Sequence, residues 1–273
     1  MIYFSQSKID SWQTCERQFQ LRYISKNGWP ESPHQADSVD AMALGELFHS
    51  LVAQKILIGE KFTLPDFSSD PVIKSWWANF ESFGPKLKAE DHFRIESKLT
   101  ATLNDQVKLT GRIDLLVHND RALKIYDWKT GRPRSKSELQ QDWQTRIYMA
   151  LLYTSRSTIC GKIVSPKNIS MTYWYARDPQ QSVTLCFDED WHEENLQEIV
   201  ELGNQVLNRL SGELNIWPLT TNLDSCGRCS FNTLCGREPV SGEESALANH
   251  LEEIDPDILE NSLHLELDIH PDL

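Results

Sequence analysis

An α/β or α+β fold with one mixed central sheet flanked by helices is predicted by three features of this sequence, and α/β is the class adopted. Helical periodicity opens the chain. A run of three alternating segments with turn residues between them follows. Helix and strand then alternate to about residue 210.

Taken in order, Ser7 before Lys8-Ile9-Asp10 reads as a helix start, and Ile9, Trp12, Phe19 and Tyr23 form a partial apolar stripe. Residues 26–38, rich in Pro, Ser, Asn and Gly, read as a loop. Helices are predicted over 39–58 and 72–88, the second carrying Trp76, Trp77 and Phe80. Alternation and β-branched residues then predict strands over 92–103, 107–117 and 123–128, with Asn119-Asp120 as a hairpin turn. Residues 136–154 return to helix, 169–175 and 182–187 read as strands, and Asp188 or Asp190 caps a helix to about Leu210. A loop bearing cysteines occupies 218–237.

The 273 residues, 40% hydrophobic and 25% charged, suit one globular domain with attachments. A net charge of −13 is unusual for a nucleic-acid enzyme, but residues 238–273 hold eleven Asp and Glu and no Lys or Arg. Taking those away leaves −2 for residues 1–237, a body that can carry local basic patches. We therefore divide the chain into a domain over 1–237 and an acidic tail over 238–273, the tail reading as a solvated extension. The opening residues lack a basic, then apolar, signal pattern, and no uninterrupted apolar run nears the roughly 18 residues of a membrane helix. A cytoplasmic protein without membrane association is expected. Gly-x-x-x-x-Gly-Lys-Ser/Thr is absent, so no phosphate-binding motor loop is built in.

The most informative stretch is Gly111-Arg112-Ile113-Asp114, followed by Ile125-Tyr126-Asp127-Trp128-Lys129-Thr130-Gly131. Residues two apart on a strand share a face, so Asp127 and Lys129 point one way while Tyr126 and Trp128 point the other. Hairpin pairing through Asn119-Asp120 brings Asp114 alongside Asp127. Two carboxylates and an ammonium suit phosphodiester hydrolysis: hard divalent cations take oxygen ligands, and a lysine beside the metal stabilises developing charge. Asp-x-Lys alone is a weak signal, since a surface hairpin with an ion pair looks the same. Three further features strengthen it: His49 on a helix in Gly45-Glu46-Leu47-Phe48-His49, Glu96 on the preceding strand, and Gln144 and Tyr148 one turn apart on the following helix.

These residues resemble the RecB-like branch of the PD-(D/E)XK nuclease superfamily, which includes the nuclease domains of RecB and AddB and the CRISPR-associated RecB-like exonucleases. The matches are Gly45-x-x-x-His49, Gly111-x-x-Asp114, Asp127-x-Lys129 with Thr130-Gly131, and Gln144-x-x-x-Tyr148, all in the family's order. The resemblance implies a restriction-endonuclease-like core and metal-dependent cleavage of DNA, exonucleolytic, in repair, recombination or CRISPR-type processing. It implies that Mg²⁺ or Mn²⁺ is held by His49, Asp114, Asp127 and the carbonyl of Trp128. Lys129 would be catalytic, with Gln144 and Tyr148 supporting the site or touching DNA. Glu96 is the weaker carry-over. Single- or double-stranded DNA ends are the implied substrate, and a helicase or other DNA-processing protein the implied partner. A non-catalytic DNA-binding module on the same fold is the alternative.

Six cysteines are present. Cys226-x-x-Cys229 and Cys235 share one loop, and Cys15 lies far upstream. Thiolates suit zinc or an iron–sulfur cluster, and spacing alone leaves zinc open. The AddB-like and CRISPR-associated members have one early cysteine and a later Cys-x-x-Cys-x(5)-Cys, the spacing found here. The resemblance therefore implies a 4Fe–4S cluster on Cys15, Cys226, Cys229 and Cys235, joining the N- and C-terminal segments. Cys160 and Cys186 stand alone and read as small buried hydrophobes. Lys124, Arg132, Arg134, Lys136 and Arg146 cluster near the site in sequence and are candidate phosphate contacts.

Overall fold

A computed structural model describes residues 1–25, 36–65, 70–212, 216–227 and 229–237, the side chains of 36–40 excepted. The acidic tail and residues 26–35 of the expected first loop lie outside the described residues. The elements are β1 (Ile2–Phe4), α1 (Gln6–Thr14), α2 (Glu16–Phe19), a π-helical turn (Gln20–Ile24), α3 (Ala36–Ile58), α4 (Pro71–Phe83), β2 (His92–Thr102), β3 (Val107–His118) and β4 (Leu123–Lys129). They continue with α5 (Lys136–Gln141), α6 (Trp143–Cys160), β5 (Ile169–Tyr175), β6 (Val183–Cys186), α7 (Glu189–Ser211) and α8 (Asp224–Gly227).

The six strands form one mixed sheet. β3 pairs antiparallel with β2 along one side. On its other side β3 pairs with β1, parallel, and with β4, antiparallel. β4 continues to a parallel β5, and β5 to an antiparallel β6. Asn119 makes the β3–β4 turn: its side-chain oxygen accepts the N–H groups of Arg121 and Ala122 at 2.8 and 3.0 Å.

Each face of the sheet is covered. On one, Leu109, Ile113, Ile125 and Met171 meet Ile147 and Leu151 of α6 and Ile199 and Val206 of α7. On the other, Leu115, Val117, Trp128 and Trp174 meet Phe48, Leu51 and Val52 of α3 and Trp76, Trp77 and Phe80 of α4. By length and composition the segment Ala41–Lys61 is apolar enough to cross a membrane, which the search for an uninterrupted run did not suggest. Here it carries three fully buried side chains into the second core.

Several expectations are corrected. α4 stops at Phe83, because Gly84-Pro85 cannot extend a helix. The single helix expected over 136–154 is two: Asp142 leaves the helical conformation, and its side chain accepts the Gln144 N–H to start α6 afresh. β1 was not expected, because its partner is 105 positions away at Val107. Cys186 is exposed on edge strand β6 and is no buried hydrophobe, whereas Cys160 is half-buried and packs against the first core.

α7 holds its place partly through His192, which is 3% exposed and packed 4.5 Å from Tyr153 and 4.6 Å from Phe187, ring to ring. Neither ring nitrogen has a hydrogen-bond partner. Burial, then the nearby Arg156 charge, push its pKa from the ordinary 6.5 down to about 4. The unfolded chain therefore takes up a proton first, and folding stability falls as pH drops through the window from about 6.5 to about 4. The loss is bounded by about 3 kcal/mol. Urea unfolding at pH 7 and pH 5 is expected to show this loss in the native chain and a smaller one in His192→Leu. Equal losses in both would refute it.

Candidate active site

The site lies where the sheet comes apart. β3 and β4 pair from His118↔Leu123 up to Leu115↔Tyr126 and no further, so the next residues, Asp114 and Asp127, flank a fork. Asp114 Oδ2 accepts the Trp128 N–H at 2.8 Å, filling the gap left by the missing ladder bond. Beyond the fork, Asp127 stands on the α6 side with Ile125, as strand alternation requires.

The backbone is unusual at the same level on the other side of β3. Glu96 sits opposite Asp114, between the pairs Ile95↔Leu115 and Ser97↔Ile113, and adopts φ +47°. It is the one non-glycine residue at positive φ among those described. Both strands turn over here: Leu99, Ala101 and Ile113 face the first core, whereas Ile95, Leu115 and Val117 face the second. Such a conformation costs on the order of 1–3 kcal/mol and persists where surroundings over-determine it. Arg112 Nε donates to Glu96 Oε2 at 2.9 Å.

α3 supplies the third partner. His49 Nδ1 lies 3.5 Å from Asp114 Oδ2. One turn earlier, a side chain on Gly45 would come within 3.3 Å of Thr130 Oγ1, so glycine lets α3 approach the end of β4. One ligand atom each of His49, Glu96 and Asp114 lie within 4.8 Å of one another. An imidazole and two carboxylates at that spacing suit one Mg²⁺ or Mn²⁺. The electrostatics agree. Burial, then the neighbouring Asp114 charge, raise the Glu96 pKa. Burial also opposes ionisation of Asp114, but His49, the Trp128 N–H and Lys129 outweigh it and its pKa is lowered. Two carboxylates crowded at one spot leave negative charge for a cation to offset.

Asp127 is arranged differently from the expected ligand set. It is 2% exposed. Lys129 Nζ lies 2.8 Å from its Oδ1, and Gln144 Nε2 donates to its Oδ2 at 2.8 Å. Lys129 Nζ also donates to Gln144 Oε1 at 3.0 Å. Tyr148, one turn further along α6, donates its hydroxyl to the Arg112 carbonyl. Burial, then the charges of Asp127 and Asp114, hold the Tyr148 pKa well above that of an ordinary tyrosine, so it stays a donor. Its ring explains Gly111: a side chain there would meet Tyr148 Cε1 at 2.7 Å. Gly111→Ala is therefore expected to cost about 1–3 kcal/mol through overpacking. Denaturant unfolding would show it, with Tyr148→Ala in the same chain recovering much of the loss; a neutral Gly111→Ala would remove this explanation of the motif.

Of the basic candidates, Arg146 is corrected. It is 8% exposed, donates to Asn195 Oδ1 at 2.8 Å, pairs with Glu198 and lies 3.7 Å over the Trp143 ring. It ties α6 to α7, which leaves its guanidinium buried between the two helices. Arg134 pairs with Asp142. Lys124 is exposed near the far end of β4 from Lys129, and Arg132 and Lys136 are exposed beside the site.

Cys15, Cys226, Cys229 and Cys235 line one cavity between α1, α2 and the C-terminal loop. No three of their sulfurs lie within 4.8 Å of one another among the described residues. The two segments are also joined by Trp217, which is 4% exposed, stacked 6.1 Å from Phe19 and edge-on 5.9 Å from Trp12.

A mixed sheet forked at a carboxylate pair, with a lysine two residues along and a histidine from a covering helix, is an arrangement suited to phosphodiester hydrolysis. The chain belongs to the PD-(D/E)XK nuclease superfamily, whose family model matches residues 3–236. No curated protein matches the chain. Among solved structures it is similar to a candidate exonuclease from Eubacterium rectale, at 15% identity over 79% of this chain and 84% of that one, with a TM-score of 0.47.

Proposed function

We propose that the protein is a metal-dependent deoxyribonuclease that removes nucleotides from DNA ends. The observation that carries this reading is the meeting of His49, Glu96 and Asp114 beside the Asp127–Lys129–Gln144 group. His49, Glu96 and Asp114 would hold Mg²⁺ or Mn²⁺; Asp127, whose oxygens face Lys129 and Gln144 here, and the Trp128 carbonyl are the further ligands the resemblance implies, and Asp127 would have to turn one oxygen to the ion. A cation bound there polarises the phosphoryl oxygen and acidifies a water. The protein's own groups do the rest. Lys129, held by Asp127 and Gln144, places a positive charge where the phosphorane charge grows. Gln144 fixes the directions of both partners, and Tyr148 braces the β3 backbone beneath Asp114. Exposed Arg132 and Lys136 would meet phosphates along the strand.

The same proposal assigns a 4Fe–4S cluster to Cys15, Cys226, Cys229 and Cys235. The cavity that the four cysteines share and the family-like Cys-x-x-Cys-x(5)-Cys spacing support it. Its role is structural, closing the C-terminal loop onto α1 and α2. A helicase or other DNA-processing partner remains part of the proposal on the RecB-like resemblance.

The test is digestion of single- and double-stranded DNA labelled at one end, with Mg²⁺ or Mn²⁺, beside Asp127→Ala. Stepwise loss of nucleotides that needs the cation and vanishes in Asp127→Ala is expected. Cleavage unchanged by that substitution, or none with either cation, overturns the proposal.

A further inference from the structure

Arginines crowd the four-cysteine cavity in a way the nuclease chemistry does not require. Arg237 Nη1 lies 3.0 Å from Cys226 Sγ and 2.6 Å from the Thr220 carbonyl oxygen, so it is held across the loop with one N–H on sulfur. Arg17, two residues after Cys15, donates to Cys235. Gln18 Nε2 lies 3.7 Å from Cys229 Sγ. Each thiol of the C-terminal loop thus faces one donor, two of them cationic. Arg17 is fixed independently: its backbone N–H donates to the Pro218 carbonyl at 3.1 Å, and its guanidinium meets Gln20 Oε1, which also accepts the Trp217 N–H at 3.0 Å.

The charges balance. Four thiolates around an oxidised 4Fe–4S core, or around Zn²⁺, carry a net −2. Two guanidinium groups bring the assembly to zero, which lowers the cost of half-burying it. Reduction adds one electron and hence one negative charge, which the same arginines favour through charge and N–H bonds to sulfur. We infer that Arg17 and Arg237 are positioning and charge-compensating residues for a four-cysteine centre, holding its metal and easing its reduction. This rests on the four-cysteine assignment proposed above.

The experiment uses the full chain, reconstituted anaerobically with iron and sulfide, as wild type, Arg237→Gln, Arg237→Lys and Arg17→Gln. Iron and sulfide content, loss of metal to a chelator and the reduced fraction at one fixed potential are measured together. Each Gln variant is expected to lose metal several-fold faster and to show a reduced-to-oxidised ratio about tenfold lower. Arg237→Lys is expected to recover most of the ratio, which a purely structural arginine would not predict. Gln variants that match wild type in both readouts overturn the inference while leaving the cluster standing. Wild type that takes up neither iron with sulfide nor zinc overturns the four-cysteine assignment and the inference with it. If wild type takes up zinc instead, chelator release decides: faster loss from both Gln variants supports the inference, and equal loss refutes it.

Discussion

Asp114→Asn is expected to slow DNA cleavage about 10³-fold at saturating Mg²⁺ and to weaken the apparent affinity for the ion. The substitution keeps the shape of the side chain and an oxygen for the Trp128 N–H, 2.8 Å away in the native chain. It removes the charge that faces His49 and Glu96. Charge stabilisation by a bound metal is worth several kcal/mol in the transition state, and each 1.4 kcal/mol or so is tenfold in rate. Losing roughly 4 kcal/mol of it gives the stated factor. Folding should survive. Asp114 is drawn toward ionisation by His49 and Lys129 against the cost of burial, so a neutral amide gives up an attraction but is also relieved of that cost. Single-turnover digestion across a series of Mg²⁺ concentrations checks both parts. A rate within about threefold of native at every concentration would remove Asp114 from the metal site.

The spacing of Asp127 and Lys129 was legible because a strand's period of two is local. The placement of Asp114 was legible because a short turn at Asn119 fixes the register of its hairpin. Glu96 was the weaker carry-over, and what brings it to the site is its place opposite Asp114 in β2, where a left-handed backbone leaves no mark in composition. The β2–β3 turn offers a register to count from: the Asn104 side-chain oxygen accepts the N–H groups of Gln106 and Val107 at 2.9 and 2.8 Å, and Thr102 pairs with Lys108. Arg146 was misread for the opposite reason. Its charge suggested solvent, but its face of α6 meets α7, which brings Asn195 and Glu198 to it from about fifty residues away. Trp217 escaped notice because an apolar residue in an irregular segment has no periodicity to read, and its pocket is built by Trp12 and Phe19. Local chemistry was readable; pairings across the sheet and between layers were not.

The glycines show how the motif and the packing are one constraint. Gly45 and Gly111 look like incidental members of Gly-x-x-x-His and Gly-x-x-Asp. In the structure each marks a close approach, of α3 to Thr130 and of β3 to Tyr148. They set how near the histidine-bearing helix and the tyrosine-bearing helix come to the fork. The site is therefore positioned by two contacts that only a missing side chain permits.

Lys129→Met carries the other large effect, and it should differ in kind from that of Asp114. The ammonium lies 2.8 Å from Asp127 Oδ1, 3.0 Å from Gln144 Oε1 and 5.5 Å over the Tyr173 ring, with its side chain 15% exposed and that of Asp127 3% exposed. Methionine keeps the stem and removes the charge. A preorganised donor aimed at developing charge is worth about 10²–10³ in rate, and that loss is expected in the single-turnover rate with metal affinity moving little. Leaving Asp127 without its cation should also cost stability, up to about 3–5 kcal/mol without metal and less when a divalent ion is present to offset the charge. Lys129→Arg should not restore the rate, since a planar guanidinium cannot place one compact charge between Asp127 and Gln144. Measured this way, Asp114→Asn lowers the plateau and shifts the metal dependence, whereas Lys129→Met lowers the plateau alone. If Lys129→Met instead cleaves at the native plateau rate, the lysine serves only to hold Asp127, and the charge that stabilises the transition state must come from elsewhere at the fork.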